Sequence, residues 1–219
     1  MPTKKGLAIR IVLGLGLLAA ALPAAPSSAH ACGDVFVPEI DHRIQGLASA
    51  EKTLRDGSTV AAAQTIVRMF PEIRSINPGK DGMLGRAQRT LAVALVRADG
   101  AIDLDVTWRG RTAEQKKKNL TWAVQALERA KQQRPNDPSV ETDLAEALAK
   151  VDDRHDEARR ALQSLADRDL VASPQGYAAL ARLQQEAGDD KARDLAVQRC
   201  TAMAKDAAIC KVGAQIPQS

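Results

Sequence analysis

Aromatic side chains are scarce, with two Trp, one Tyr and two Phe in 219 residues. A large β-sandwich or barrel fills its inward positions with β-branched and aromatic groups. This chain is instead rich in alanine, which has the highest helix propensity and lets helices pack closely. Histidine is nearly as rare: beyond His30, only His42 and His155 occur, far apart and with no ligand spacing around either. Both are read as solvated surface groups, and no metal or other cofactor is expected. The chain has no Gly-x-Ser-x-Gly elbow, phosphate loop or dinucleotide fingerprint, so it is read as a non-enzyme. An enzymatic reading would need a pocket built around Asp103, Asp105 and Trp108, and two alternating carboxylates define no such site by themselves.

Long hydrophobic runs are missing as well. The apolar stretch at 11–22 is short of the roughly 20 residues that a membrane-crossing helix needs. It follows Lys4, Lys5 and Arg10 and precedes the small-residue segment 23–31, which ends Ala29-His30-Ala31; that order is the one a secretory signal peptide has. Residues 1–31 are expected to be removed and the chain exported to a bacterial periplasm or secreted. Three of the 31 basic residues lie in this leader, leaving 28 against 27 acidic ones. A nearly neutral mature chain gives no reason to expect a nucleic acid partner. Cysteine is limited to Cys32, Cys200 and Cys210. Cys32 follows the leader, but only Ala31 and Cys32 fit a lipobox and Ala29 stands where that motif has leucine. A soluble product is therefore favoured, with lipidation of Cys32 and membrane anchoring as the alternative. Cys200 and Cys210 are expected to form a disulfide in an oxidising compartment. On one straight helix they would lie roughly 15 Å apart, so the bridge requires a turn between them.

Helical periodicity fills the remainder. Ile40, Ile44, Leu47 and Leu54 share a face before Gly57, and Val60, Ala62, Ile66, Val67 and Phe70 form a second stripe closed by Pro71 and Asn77-Pro78. Another pair lies between Leu84 and Pro135. From Pro138 the chain reads Leu144-Ala145, Leu148, Ala158, Leu162 and Leu165; from Pro174 it reads Leu180-Ala181, Gly188, Ala192, Leu195 and Ala196. These positions resemble the tetratricopeptide repeat family. Leu144-Ala145-Leu148 is similar to its first helix, Ala123-Leu127-Ala130-Pro135 to its second, and Gly57 and Gly188 to its turn. The resemblance implies an all-α fold of about four helical hairpins over 40–210, stacked as a short right-handed solenoid. An extended lead-in at 32–39, an inserted extended segment at about 99–111 and a flexible tail at 211–219 complete the expected organisation. Leu127, Leu144, Leu162 and Leu180 are read as core.

The same resemblance implies a protein–protein interaction module that holds a peptide or helical partner along the first helices of its units. By helical phase, the exposed positions of those helices include Arg86, Arg97, Glu141, Glu146, Tyr177 and Gln184. A structural subunit of a larger envelope assembly is the alternative. Three further features stand out. Residues 109–134 hold eight basic side chains against two acidic ones, and residues 137–157 hold the reverse; the two blocks either offset each other or present surfaces of one sign. Ile102, Leu104, Val106 and Trp108 alternate with polar residues, which suggests an extended segment with one apolar face. That face either plugs the array or offers Trp108 to a partner. Asn119-Leu120-Thr121 is a glycosylation sequon inside an apparent helix.

Overall fold

The structure is a computed structural model that describes residues 41–79, 82–103 and 110–211. The leader, the lead-in and Cys32, the stretch 104–109 with Asp105 and Trp108, and residues 212–219 lie outside the described residues. Among the described residues the chain is all-helical, with no strand. The helices are α1 (His42–Arg55), α2 (Thr59–Met69), α3 (Gly82–Arg97), α4 (Ala113–Gln133), α5 (Pro138–Leu148), α6 (His155–Ala166), α7 (Pro174–Glu186) and α8 (Asp190–Met203). Short 3-10 turns span Asp152–Arg154 and Ala207–Cys210. No helix among the described residues is long and apolar enough to cross a membrane.

The helix starts follow from side-chain chemistry. Asp41, Thr112, Asp137, Ser173 and Asp189 stand at N-caps, each accepting a backbone N–H that has no partner inside the helix. Thr112 and Gln115 complete a capping box, and Pro138 and Pro174 occupy the first helical positions, where a missing N–H costs nothing. The α1–α2 and α7–α8 turns pass through Gly57 and Gly188 at φ of 90° and 75°, which side chains with a Cβ rarely adopt.

Each helix packs on its neighbours in sequence, and α1 also packs on α3, α3 on α5, and α5 on α7. The odd-numbered helices thus form a row of their own. Alanines fill much of the interior: Ala50, Ala62, Ala87, Ala123, Ala158 and Ala181 are fully buried, and such small side chains let helices pack closely. Leu127, Leu144, Leu162 and Leu180 are buried as expected, and each such side chain contributes about 1.5–3 kcal/mol. Ile44, Val60 and Leu195, assigned to buried stripes from periodicity, are instead about half exposed. The reason is position: among the described residues, no hairpin precedes the α1–α2 pair and no α-helix follows α8 to cover their outer sides.

The insertion begins with a close approach. Gly100 ends α3 at φ 70°, its N–H donating to the Leu95 carbonyl, and a Cβ there would lie 2.5 Å from the Lys116 carbonyl oxygen of α4. Buried Asn119 donates from its side-chain amide to the Gly100 carbonyl at 2.9 Å. The sequon asparagine is therefore a packing residue rather than a surface acceptor. Ile102 is buried, and Asp103 accepts from the Gly110 N–H at 2.7 Å and from the Arg111 guanidinium, so the two ends of the insertion are pinned together.

At the carboxyl end, α8 stops at Met203 and the Ala207–Cys210 turn folds back, bringing Cys200 and Cys210 into a disulfide with Cα atoms 5.7 Å apart. The turn required by their spacing is present.

Candidate functional site

A groove of about 900 Å³ runs along the row of odd-numbered helices. Arg89, Val96 and Arg97 of α3, Ser139, Asp143 and Glu146 of α5, and Gln175, Ala178, Ala179 and Arg182 of α7 line its length. The α1–α2 turn from Leu54 to Thr59 borders it, as do Met203, Lys205, Asp206, Ile209 and Lys211 from the end of α8 and the segment after it.

The back of the groove is a buried charge network created by helical spacing. Arg89 and Arg97, eight residues apart, fall on one face of α3, and Asp143 and Glu146, three apart, fall on one face of α5. Arg89 pairs with Asp143, and Arg97 forms a two-bond pair with Glu146 at 3.1 and 3.2 Å. Glu146 also accepts from the Ser173 hydroxyl, whose oxygen accepts from the Gly176 N–H at 3.0 Å at the start of α7. One carboxylate therefore ties α3, α5 and α7 together. Gly176 permits this approach, since a Cβ there would lie 2.7 Å from the Thr142 side chain.

Burial pushes the Asp143 carboxyl up to about 6; Arg89 opposes the shift and the nearby Glu146 adds to it. For Arg97 burial acts the other way, lowering its pKa, but Glu146 and Asp143 more than offset this and hold its guanidinium above the usual value. The arrangement is a fixed polar wall in which each carboxylate already faces a guanidinium.

The lining as a whole is positive. Seven basic side chains face four acidic ones: Arg55, Arg89, Arg97, Lys150, Arg182, Lys205 and Lys211 against Asp56, Asp143, Glu146 and Asp206. Lys150 pairs with Asp99, outside the groove, and Arg182 donates to the Ala149 carbonyl and lies 3.7 Å from Glu186. At the mouth Lys205 reaches Asp56 at 3.5 Å, while Arg55 and Lys211 make no ion pair with a described residue.

Of the surface positions assigned from helical phase, Arg97 and Glu146 do line the groove, but as a largely buried pair, with side chains 14% and 3% exposed. Tyr177 and Gln184, also expected to be exposed, are buried; Gln184 donates to the Gln163 side chain of α6. Helical phase could not show this because α7 is covered by α5, α6 and α8. Glu141 is half-buried, and Arg86 is exposed and pairs with Glu51 of α1; neither lines the groove. Trp108 lies outside the described residues. Spacing on α3 and α5 could have identified Arg89 and Asp143, whereas the contribution of residues 203–211 depends on the fold of the chain end.

The charged blocks meet at Arg134–Asp137 and Glu128–Arg154, but Asp143 and Glu146 pair with α3 rather than with the basic block. His42 is exposed, whereas His155 is not simply solvated: its Nδ1 lies 3.0 Å from Glu186 of α7. Among the described residues no three His, Cys, Asp or Glu side chains cluster as a metal site would require. Asp103, one member of the alternating carboxylate pair, is engaged in pinning the insertion. No protein-family model, curated protein or solved structure matches the chain.

Proposed function

We propose that this chain is an exported, non-catalytic binding module of tetratricopeptide-like hairpins whose groove along α3, α5 and α7 takes a short acidic peptide segment of another protein. The observation that carries this reading is the lining, in which basic side chains outnumber acidic ones by seven to four and Arg55 and Lys211 have no ion-pair partner among the described residues. An excess of one sign in a recess attracts the opposite charge and speeds its association. Apolar contact comes from Val96, Ala178, Ala179, Ile209 and the exposed Met203. The volume suits a few residues of extended chain rather than a folded domain. In this reading the leader is cleaved, the protein works in solution in the bacterial envelope, and Cys32 carries no lipid.

Selection of short random peptides on the processed, oxidised protein tests it. Peptides enriched in Asp and Glu beside apolar residues, and lost on the Arg55→Glu, Lys211→Glu double variant, are the expected result. Absence of enrichment, or enrichment indifferent to the charge reversal, overturns it. Recovery of one stoichiometric partner from native envelope fractions would favour the structural-subunit reading instead.

A further inference from the structure

Residues 204–211 form one wall of the groove, where the Ala207–Cys210 turn packs on α7 and α8 through a single fully buried side chain. Ala204 leaves the helix in an extended conformation, and the 3-10 turn that follows is organised locally, with the Asp206 carboxylate accepting from the Ala208 N–H at 2.9 Å. Ala204 and Ile209 are half-buried; Lys205, Asp206, Ala207, Ala208 and Lys211 are exposed; Cys210 is the one fully buried side chain in the segment. The ion pair from Lys205 to Asp56 joins side chains 87% and 41% exposed, an arrangement that solvent and salt weaken. So few apolar contacts give a short segment little to offset its ordering entropy. Cys210 therefore acts as its anchor, fixed to the fully buried Cys200 of α8.

We infer that oxidation of Cys200 and Cys210 builds this wall, so that the complete groove exists only in the disulfide-bonded chain. The reaction consumes two thiols and a disulfide-bearing oxidant: the S–S bond forms between Cys200 and Cys210, and the oxidant leaves as two thiols carrying the released protons and electrons. The reduced chain keeps the Arg89–Asp143 and Arg97–Glu146 back wall but loses Lys205, Asp206, Ile209 and Lys211 from the lining. Two of the seven cations and one of the four carboxylates go with the strap. The chain is consequently a binder in an oxidising compartment and a weak one before it arrives there. This consequence for binding rests on the groove being the binding surface; the ordering of the segment does not.

Amide hydrogen exchange on the full processed chain, compared with the same chain reduced by dithiothreitol and alkylated and with the Cys200→Ser, Cys210→Ser variant, tests the ordering directly. Exchange in 204–211 should quicken by about a hundredfold or more on loss of the bond and reach that of an open segment, while α3 and α5 stay folded and lose only the protection that the overall fall in stability removes. Unchanged protection of 204–211 overturns the inference. If α3 and α5 of the cysteine variants exchange as freely as 204–211, the bond supports the whole fold rather than the wall and the inference also falls. In a second arm, a Lys205→Ala, Lys211→Ala variant that keeps the disulfide should bind the selected acidic peptides about tenfold more weakly with unchanged melting. If peptide selection yields nothing, the binding reading fails while the exchange result still decides the wall.

Discussion

Arg97 with Glu146 at the back of the groove, and Lys205 with Asp56 at its mouth, are the same kind of ion pair in opposite surroundings. The first pair has side chains 14% and 3% exposed, and Glu146 is also bonded to Ser173; the second pair is 87% and 41% exposed and 3.5 Å apart. Burial makes the inner pair costly to break, because removing one partner leaves the other charge without water. Exposure makes the outer pair nearly neutral in stability. The groove thus has a rigid back formed by helix spacing and a mouth whose order depends on a covalent bond.

Breaking the inner pair should give the largest effect. Glu146→Ala leaves Arg97 unpaired and Ser173 without its acceptor, and should lower the unfolding free energy by about 3–5 kcal/mol in urea titrations. Replacing both partners together, as Arg97→Met with Glu146→Leu, should recover much of that loss, because a well-packed apolar pair needs no hydration. Equal destabilisation by the single and double variants would show that the charges themselves are required.

Next in size is the disulfide. Removing both cysteines should cost about 2–3 kcal/mol by loop-closure entropy. A fall comparable to that of Glu146→Ala would contradict the division between a self-sufficient back and a tethered mouth.

A smaller effect reports on the buried back by pH. The folded-state pKa of Asp143 is raised from 3.8 to about 6. Between these values the folded chain binds more protons than the unfolded one. The stability associated with Asp143 is therefore fully present below pH 3.8 and is lost as pH rises through about 6. Asp137 and Glu157 behave oppositely, since hydrogen bonds from Ser139 and Arg154 respectively hold them low and their contribution is lost as pH falls. The difference between the native chain and Asp143→Asn isolates the buried group: relative to the variant, the native chain should lose about 2 kcal/mol from pH 4 to pH 7. A pH-independent difference would contradict the burial argument.

The smallest effect belongs to the mouth pair alone. Lys205→Ala should change the unfolding free energy by less than about 0.5 kcal/mol. A loss above about 1 kcal/mol would mean that the strap is held by more than its disulfide.

Much of the fold was legible because its signals are local. Alanine and leucine at helical spacing, prolines such as Pro138 and Pro174, and glycines at the turns place most helices without reference to tertiary contacts. The bridge between Cys200 and Cys210 demanded a turn, and the turn is there. The groove was legible in part. Its use of α3, α5 and α7 followed from the repeat-like pattern, but charged residues were read as solvent-facing, and phase alone could not show that Arg97 and Glu146 lie opposite each other across two helices. Tyr177 and Gln184 were misplaced for a related reason, since the covered arc of a helix widens when neighbours lie on both sides. Residues 203–211 were missed because a lining made by a folded-back chain end has no periodicity to read.

The central claim is that ligand enters between α3, α5 and α7 beneath the strap, and mapping amide NMR shifts as a selected acidic peptide is added tests it most directly. The account predicts shifts concentrated at Arg55, around Arg89 and Arg97, along 175–182 and in 203–211. Shifts confined to the outer sides of α4 and α6, with these residues unmoved, would contradict it.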